Sequence, residues 1–187
     1  MSAAARVPKF RALAIGFYGA PNVGDEVLLD VLVHRVHELG GELVVASIDP
    51  GMTRRMHAVE SIEFANIGAV GRTLLHCDVL IMGGGGIFQD HHPFNLDALY
   101  LPYLNDISGY ARPMLLARQL GVPVVVWGHG VGPLRQSEPR ALVPIASANP
   151  QFPTDRLDKR PNDCHSKSFG SRWIKSFGQH RATIGDR

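Results

Sequence analysis

Four short, nearly unbroken apolar runs punctuate the chain: Ala12 to Phe17, Glu42 to Ile48, Val79 to Met82 and Val122 to Trp127. Each is too short for a helix and reads as a strand. The runs do not alternate with polar residues, so both faces of each strand are covered, as in a parallel sheet. Helical spacing fills the intervals. Leu28, Leu32, Val36 and Leu39 form one stripe over Asp25 to Leu39, with Gly40-Gly41 as a stop signal. Gly71 to His76 and Tyr110 to Leu120 complete the alternation, with Pro113 expected in the first turn of its helix, where no donor is missed. Asp49-Pro50-Gly51 reads as a turn. The pattern predicts an α/β fold, a doubly wound, Rossmann-like parallel sheet.

Beyond Leu142 the pattern stops. Pro139, Pro144, Pro150, Pro153 and Pro161 punctuate a stretch without sustained periodicity, although Trp173 to Phe177 fits one helical turn. Residues 146–187 contain only 11 hydrophobic residues, whereas the whole chain of 187 is 45% hydrophobic. They also carry eight Lys and Arg against four Asp and Glu, while the chain as a whole is only +2. The expected organisation is a flexible N-terminus over 1–10, one α/β domain over 11–142 and an atypical, poorly ordered tail over 143–187. So abrupt a break also fits a shifted reading frame that replaces a lost second half.

The basic charge belongs to the tail, so nucleic-acid binding is not expected of the domain. No apolar run reaches the roughly 18 residues of a membrane span, and Met1 to Phe10 lacks the apolar core of a signal peptide, so a cytoplasmic protein is expected. Cys77 and Cys164 have no metal-ligand spacing and are read as free thiols.

The chemistry is concentrated in three glycine-rich segments, each following a strand: Gly16 to Glu26, Gly83 to Asp90 and Gly128 to Pro133. In a parallel sheet all three reach one edge, beside helix N-termini with free N–H groups, where an anionic ligand is expected. Gly19 and Gly24 have the spacing of a nucleotide-binding P-loop, but Asp25 and Glu26 stand where Lys and Ser/Thr should be and would repel a triphosphate. Gly16, Gly19 and Gly24 also miss the dinucleotide spacing.

Tyr18-Gly19 with Asn22-Val23-Gly24-Asp25-Glu26, then Asp78-Val79-Leu80-Ile81-Met82 followed by Gly83 to Gly86 with Gln89-Asp90, then Trp127-Gly128-His129-Gly130-Val131-Gly132-Pro133-Leu134 resemble, in this order and spacing, the three N-terminal motifs of the polysaccharide pyruvyl transferase family. The resemblance spans roughly residues 11–135. It implies the N-terminal half of a GT-B-like, two-domain architecture. It also implies transfer of the enolpyruvyl portion of phosphoenolpyruvate, with no cofactor, onto two hydroxyls of a glycan or lipid-linked saccharide as a cyclic ketal. His129 stands where many members have Gln. The second half, which in the family supplies essential basic and His residues for the donor, is missing, so a truncated enzyme is expected.

Ketal formation needs an acid at the methylene carbon, a base for the sugar hydroxyl, and donors for carboxylate and phosphate. Asp25 is a candidate base, or an N-cap of its helix. His129 is a candidate acid or phosphate donor, or a hydrogen-bonded loop residue. Asn22, Gly19 and Gly24 form the first candidate binding segment. Gly83, Gly84, Gly85 and Gly86 either admit a ligand to the backbone or permit a sharp turn. Gln89 and Asp90 are candidates to face the acceptor; Gly130, Gly132 and Arg135 complete the set. Tyr100 and Tyr103 fit sugar stacking or packing. A metal at Asp90-His91-His92 is disfavoured, since adjacent His side chains rarely converge. Two other readings remain open: a nucleotide-sugar glycosyltransferase of the same architecture, and an inactive half-domain that self-associates through an uncovered apolar face.

Overall fold

The computed structural model describes residues 9–91, 94–99 and 107–147. Five parallel strands, β1 (Arg11–Ile15), β2 (Glu42–Ser47), β3 (Glu60–Glu63), β4 (Val79–Phe88) and β5 (Val124–Val131), form one sheet in the order β3-β2-β1-β4-β5. Side chains alternate across it. Leu13, Ile15, Leu80 and Met82 pack on one face with α3 (Ile67–Leu74) and α4 (Ile107–Gln119). Ala12, Ala14, Val79 and Ile81 pack on the other with Leu29, Leu32, Val33 and Val36 of α1 (Val23–Glu38). Helices on both faces make the sheet doubly wound, as the apolar runs predict.

Several boundaries differ, each for a local reason. α1 begins two residues before Asp25 because Asn22, with its side chain accepting from Gly24 N, is the N-cap; Asp25 is not. Its buried stripe is Leu29, Leu32, Val33 and Val36, one position round from part of the predicted one. Asp49-Pro50-Gly51 is not a turn but the start of α2 (Pro50–His57): Asp49 accepts from Met52 N at 2.8 Å and Pro50 occupies the first turn. α3 starts at Ile67 because Asn66 caps it through Ala69 N. α4 starts at Ile107, which puts Pro113 inside the helix rather than in its first turn; every residue from Ile107 to Met114 is buried, so packing offsets the lost helical bond. α5 (Ser137–Ser147) continues through Pro139 and Pro144, past the expected stop at Leu142. Tyr100, Tyr103, His92, Cys164 and residues 148–187 lie outside the described residues.

The largest difference concerns the glycines. Gly83 to Gly86 and Gly128 to Gly130 are not loops: they belong to β4 and β5. β1 ends opposite Met82, whereas β4 and β5 run on together, with Gly83 beside Trp127, Gly85 beside His129 and Phe88 beside Val131. A two-stranded ribbon therefore overhangs the sheet at its C-terminal edge. The register is irregular between Gly85 and Phe88, and positive φ angles at Gly84 (85°) and Gly85 (71°) need residues without a Cβ.

Candidate functional site

β1 and β4 are neighbours in the sheet but not in sequence, because the chain leaves β1 in one direction and returns to place β4 on its other side. Crevices of α/β sheets form outside the strand ends at such a reversal. By that rule the crevice of this sheet belongs where the β1–α1 turn, the first turn of α1 and the glycine ribbon meet.

Asp25 joins the first and second motifs. Its Oδ2 accepts from Asn22 Nδ2 at 2.6 Å. Its Oδ1 lies so close to Gly85 that a Cβ there would overlap it. The side chain is buried, and burial, then the neighbouring Glu26 charge, raises its pKa above the ordinary carboxylate range. Tyr18 fills the adjacent space. It is fully buried, and a Cβ on Gly84 would lie 2.7 Å from its ring and on Gly83 3.1 Å from its hydroxyl. That hydroxyl has no hydrogen-bond partner among the described residues, and burial, then Asp25, pushes its pKa up. Gly83 and Gly84 thus make room for Tyr18, whereas Gly85 is half-buried and Gly86 exposed.

The third motif closes the far side. A Cβ on Gly128 would be 3.9 Å from Leu28 of α1, and one on Gly130 would meet nothing within 4 Å. His129 packs edge-on against Phe88, with ring centroids 4.6 Å apart. Burial lowers its pKa from 6.5 to about 4, with the Gly85 backbone acting weakly in the opposite sense. At pH 7 the ring is neutral, so it offers an N–H rather than a cation. Because the unfolded chain binds the proton more tightly, this residue costs stability as pH falls through 6.5 towards 4, by about 2 kcal/mol between pH 7 and 5. His129→Gln should therefore melt several degrees higher than wild type at pH 5 and close to it at pH 7, as differential scanning fluorimetry at the two values would record.

Gln89, Asp90 and Arg135 gather at the tip of the ribbon. Asp90 Oδ2 accepts from the backbone N–H groups of Gln136, at 2.6 Å, and Arg135. Gln136 N–H first, with Arg135 N–H also contributing, holds the Asp90 carboxyl below the ordinary range. Gln89 folds over Gly86 and its Oε1 pairs with His91 Nε2. Gly132 donates to Phe88 O at 2.9 Å, and the Arg135 residue is exposed. The bonds of Asp90 tie the β5–α5 connection to the end of β4, whereas those of Asn22 and Asp25 face the crevice. Gly24, exposed, donates to Asn22 Oδ1 at 3.1 Å, and Gly19 packs beside Ser47 and Asp49.

The motif reading missed two buried groups. Glu26 accepts from Gly19 N at 2.7 Å through Oε1 and pairs with His57 Nε2 at 2.7 Å through Oε2. The side chains of Glu26 and His57 are only 7% and 4% exposed. Glu26 is thus a buried anchor in the first turn of α1. Between α1 and α2 runs an apolar groove of about 490 Å³, lined by Val23, Val27, Val31, Met52 and Met56 among others, several of them exposed.

Among the described residues, no three His, Cys, Asp or Glu side chains gather closely enough to hold a metal ion. No described helix is long and apolar enough to cross a membrane. Among curated proteins, none matches the chain. A family model does: that of polysaccharide pyruvyl transferase matches residues 22–146, which contain Asn22, Asp25, the glycine ribbon and the segment from His129 to Arg135. More than half of the chain is covered, including both sides of the crevice, and the chain belongs to the polysaccharide pyruvyl transferase family.

Proposed function

We propose that the protein acts in the cytoplasm on a polysaccharide or its precursor, moving the pyruvyl group of phosphoenolpyruvate onto two sugar hydroxyls as a cyclic ketal. The observation that carries this reading is Asp25, a buried carboxylate of raised basicity, held by Asn22 at the mouth of the β1/β4 crevice. A hydroxyl set against Asp25 Oδ1 gives up its proton there as its oxygen attacks the donor carbon. The methylene carbon gains a proton and becomes the methyl group, leaving a tetrahedral carbon; its bond to phosphate breaks, the second hydroxyl adds in its place, and that hydroxyl's proton leaves with the phosphate. Exposed backbone at Gly86 and Gly130, with Gly85 half-buried beside Asp25, allows close approach of the substrate. Arg135 follows the third motif and is the cation assigned to the donor's carboxylate or phosphate.

The direct test mixes the full chain with phosphoenolpyruvate and a panel of free and lipid-linked saccharides. It follows phosphate release and the mass of the saccharide product. Binding is read separately as a melting shift. Phosphoenolpyruvate at about 100 times its Kd should raise stability by about 2.7 kcal/mol, a shift of several degrees. A shift with nucleoside-diphosphate sugars alone would favour glycosyl transfer instead, and no shift with either would favour an inactive half-domain.

A further inference from the structure

Beside the crevice lies a buried polar pair that the ketal chemistry does not use. Glu26 follows Asp25 on the first turn of α1, and its carboxylate is divided between two neighbours. Oε1 takes the Gly19 N–H at 2.7 Å and Oε2 takes His57 Nε2 at 2.7 Å. Gly19 has a φ of 72° and is wedged against Ser47 and the Asp49 backbone, so its position is set by β2 and the start of α2. His57 is the last residue of α2, and its Nδ1 lies 3.6 Å from Asp30 Oδ1, one turn further along α1. The turn between these points, Ala20 to Asn22, carries the amide that grips Asp25, and Glu26 N donates to Asn22 O at 3.2 Å.

We propose that Glu26, clamped between Gly19 N–H and His57, is the positioning residue of the crevice: it fixes the β1–α1 turn and so holds Asn22 and Asp25 against Gly85. Glu26 touches no reacting atom. It acts through Asp25, and the inference rests on the function proposed above only in assigning Asp25 a proton to move. The groups facing Asp25 are Asn22 and Glu26 on its own segment, Tyr18 before it, Gly85 on β4 and Tyr110 on α4. Removing the Glu26 charge therefore also removes a like charge beside Asp25.

The experiment compares Glu26→Ala, Glu26→Gln and His57→Gln in the full chain. Glu26→Gln keeps an oxygen for Gly19 N–H and an amide for His57. Amide exchange at Gly19 should accelerate in Glu26→Ala and stay slow in Glu26→Gln. A ¹³C titration of the Asp25 carboxyl should move to lower pH in Glu26→Gln. In turnover, Glu26→Ala should lose about 100-fold in kcat with the phosphoenolpyruvate KM within about threefold. Glu26→Gln should recover most of that loss, and His57→Gln should fall between. Equal losses of melting temperature in all three, with unaltered Gly19 exchange and an unaltered Asp25 titration, would overturn the proposal. Absence of pyruvyl transfer by wild type would instead remove the proposed reaction, with Gly19 exchange and the Asp25 titration still deciding whether Glu26 positions the crevice.

Discussion

Asp25→Asn should abolish pyruvyl transfer while making the protein more stable. The amide still fits between Asn22 and Gly85, but it cannot take a proton, and loss of a general base costs about 10²–10⁴-fold in rate. Stability moves the other way. Asp25 has a raised pKa because its charge is buried next to Glu26. A group whose folded pKa is raised stabilises the fold only while it is protonated, and it becomes less favourable as pH rises through that pKa. At pH 7 the charged form is the costly one, so removing it should raise the melting temperature. The comparison needs only kcat and thermal melts at pH 7 and pH 4. The gain at pH 7 should shrink as the pH falls and the wild-type carboxyl takes up its proton. A variant that melts lower at pH 7 would show that the Asp25 carboxylate stabilises the fold and would contradict this expectation.

Gly84→Val should be the most destabilising change in the glycine ribbon. Its backbone lies at a φ of 85°, where a β-branched residue is strained, and its Cβ would press to 2.7 Å from the buried Tyr18 ring. Strain and overpacking each cost about 1–3 kcal/mol. A loss of 10 °C or more in melting temperature is expected for a domain of this size. Gly130→Val is the contrast. It lies on the same ribbon in open space with no positive φ, so it should melt close to wild type and weaken only the binding of phosphoenolpyruvate or acceptor. Melting and ligand-shift curves for the pair separate the buried half of the ribbon from its exposed half; comparable melting losses in both would contradict that division.

The doubly wound sheet was legible because its central strands are solid apolar runs and α1 carries a clear apolar stripe. What escaped was polar or lacked side chains. β3, Glu60–Glu63, buries little beyond Ser61 on an edge and gives no apolar signal. Residues 83–86 and 128–130 pair as strands, but glycine offers no pattern of faces, so they read as loops. α2 was hidden by Pro50-Gly51, since the same residues suit a turn unless Asp49 is seen capping Met52 N. At the crevice, Asn22 and Asp25 were legible from their motif. The Glu26–His57 pair was not, because its partners are 31 positions apart and meet only through the packing of α2 beside α1.

The overhang of β4 and β5 separates two demands that most parallel sheets must meet with the same residues. Apolar side chains up to Met82 hold the layers together, whereas the tip from Gly85 onward has no β1 strand beside it. Ile87 and Phe88 of the tip still belong to the core, but substitutions at the positions around them that face away from it can reshape what the crevice accepts without disturbing the fold beneath. Diversification among descendants of this sequence is expected to accumulate at Gly86, Gln89 and Gly130, and to spare Gly83 and Gly84.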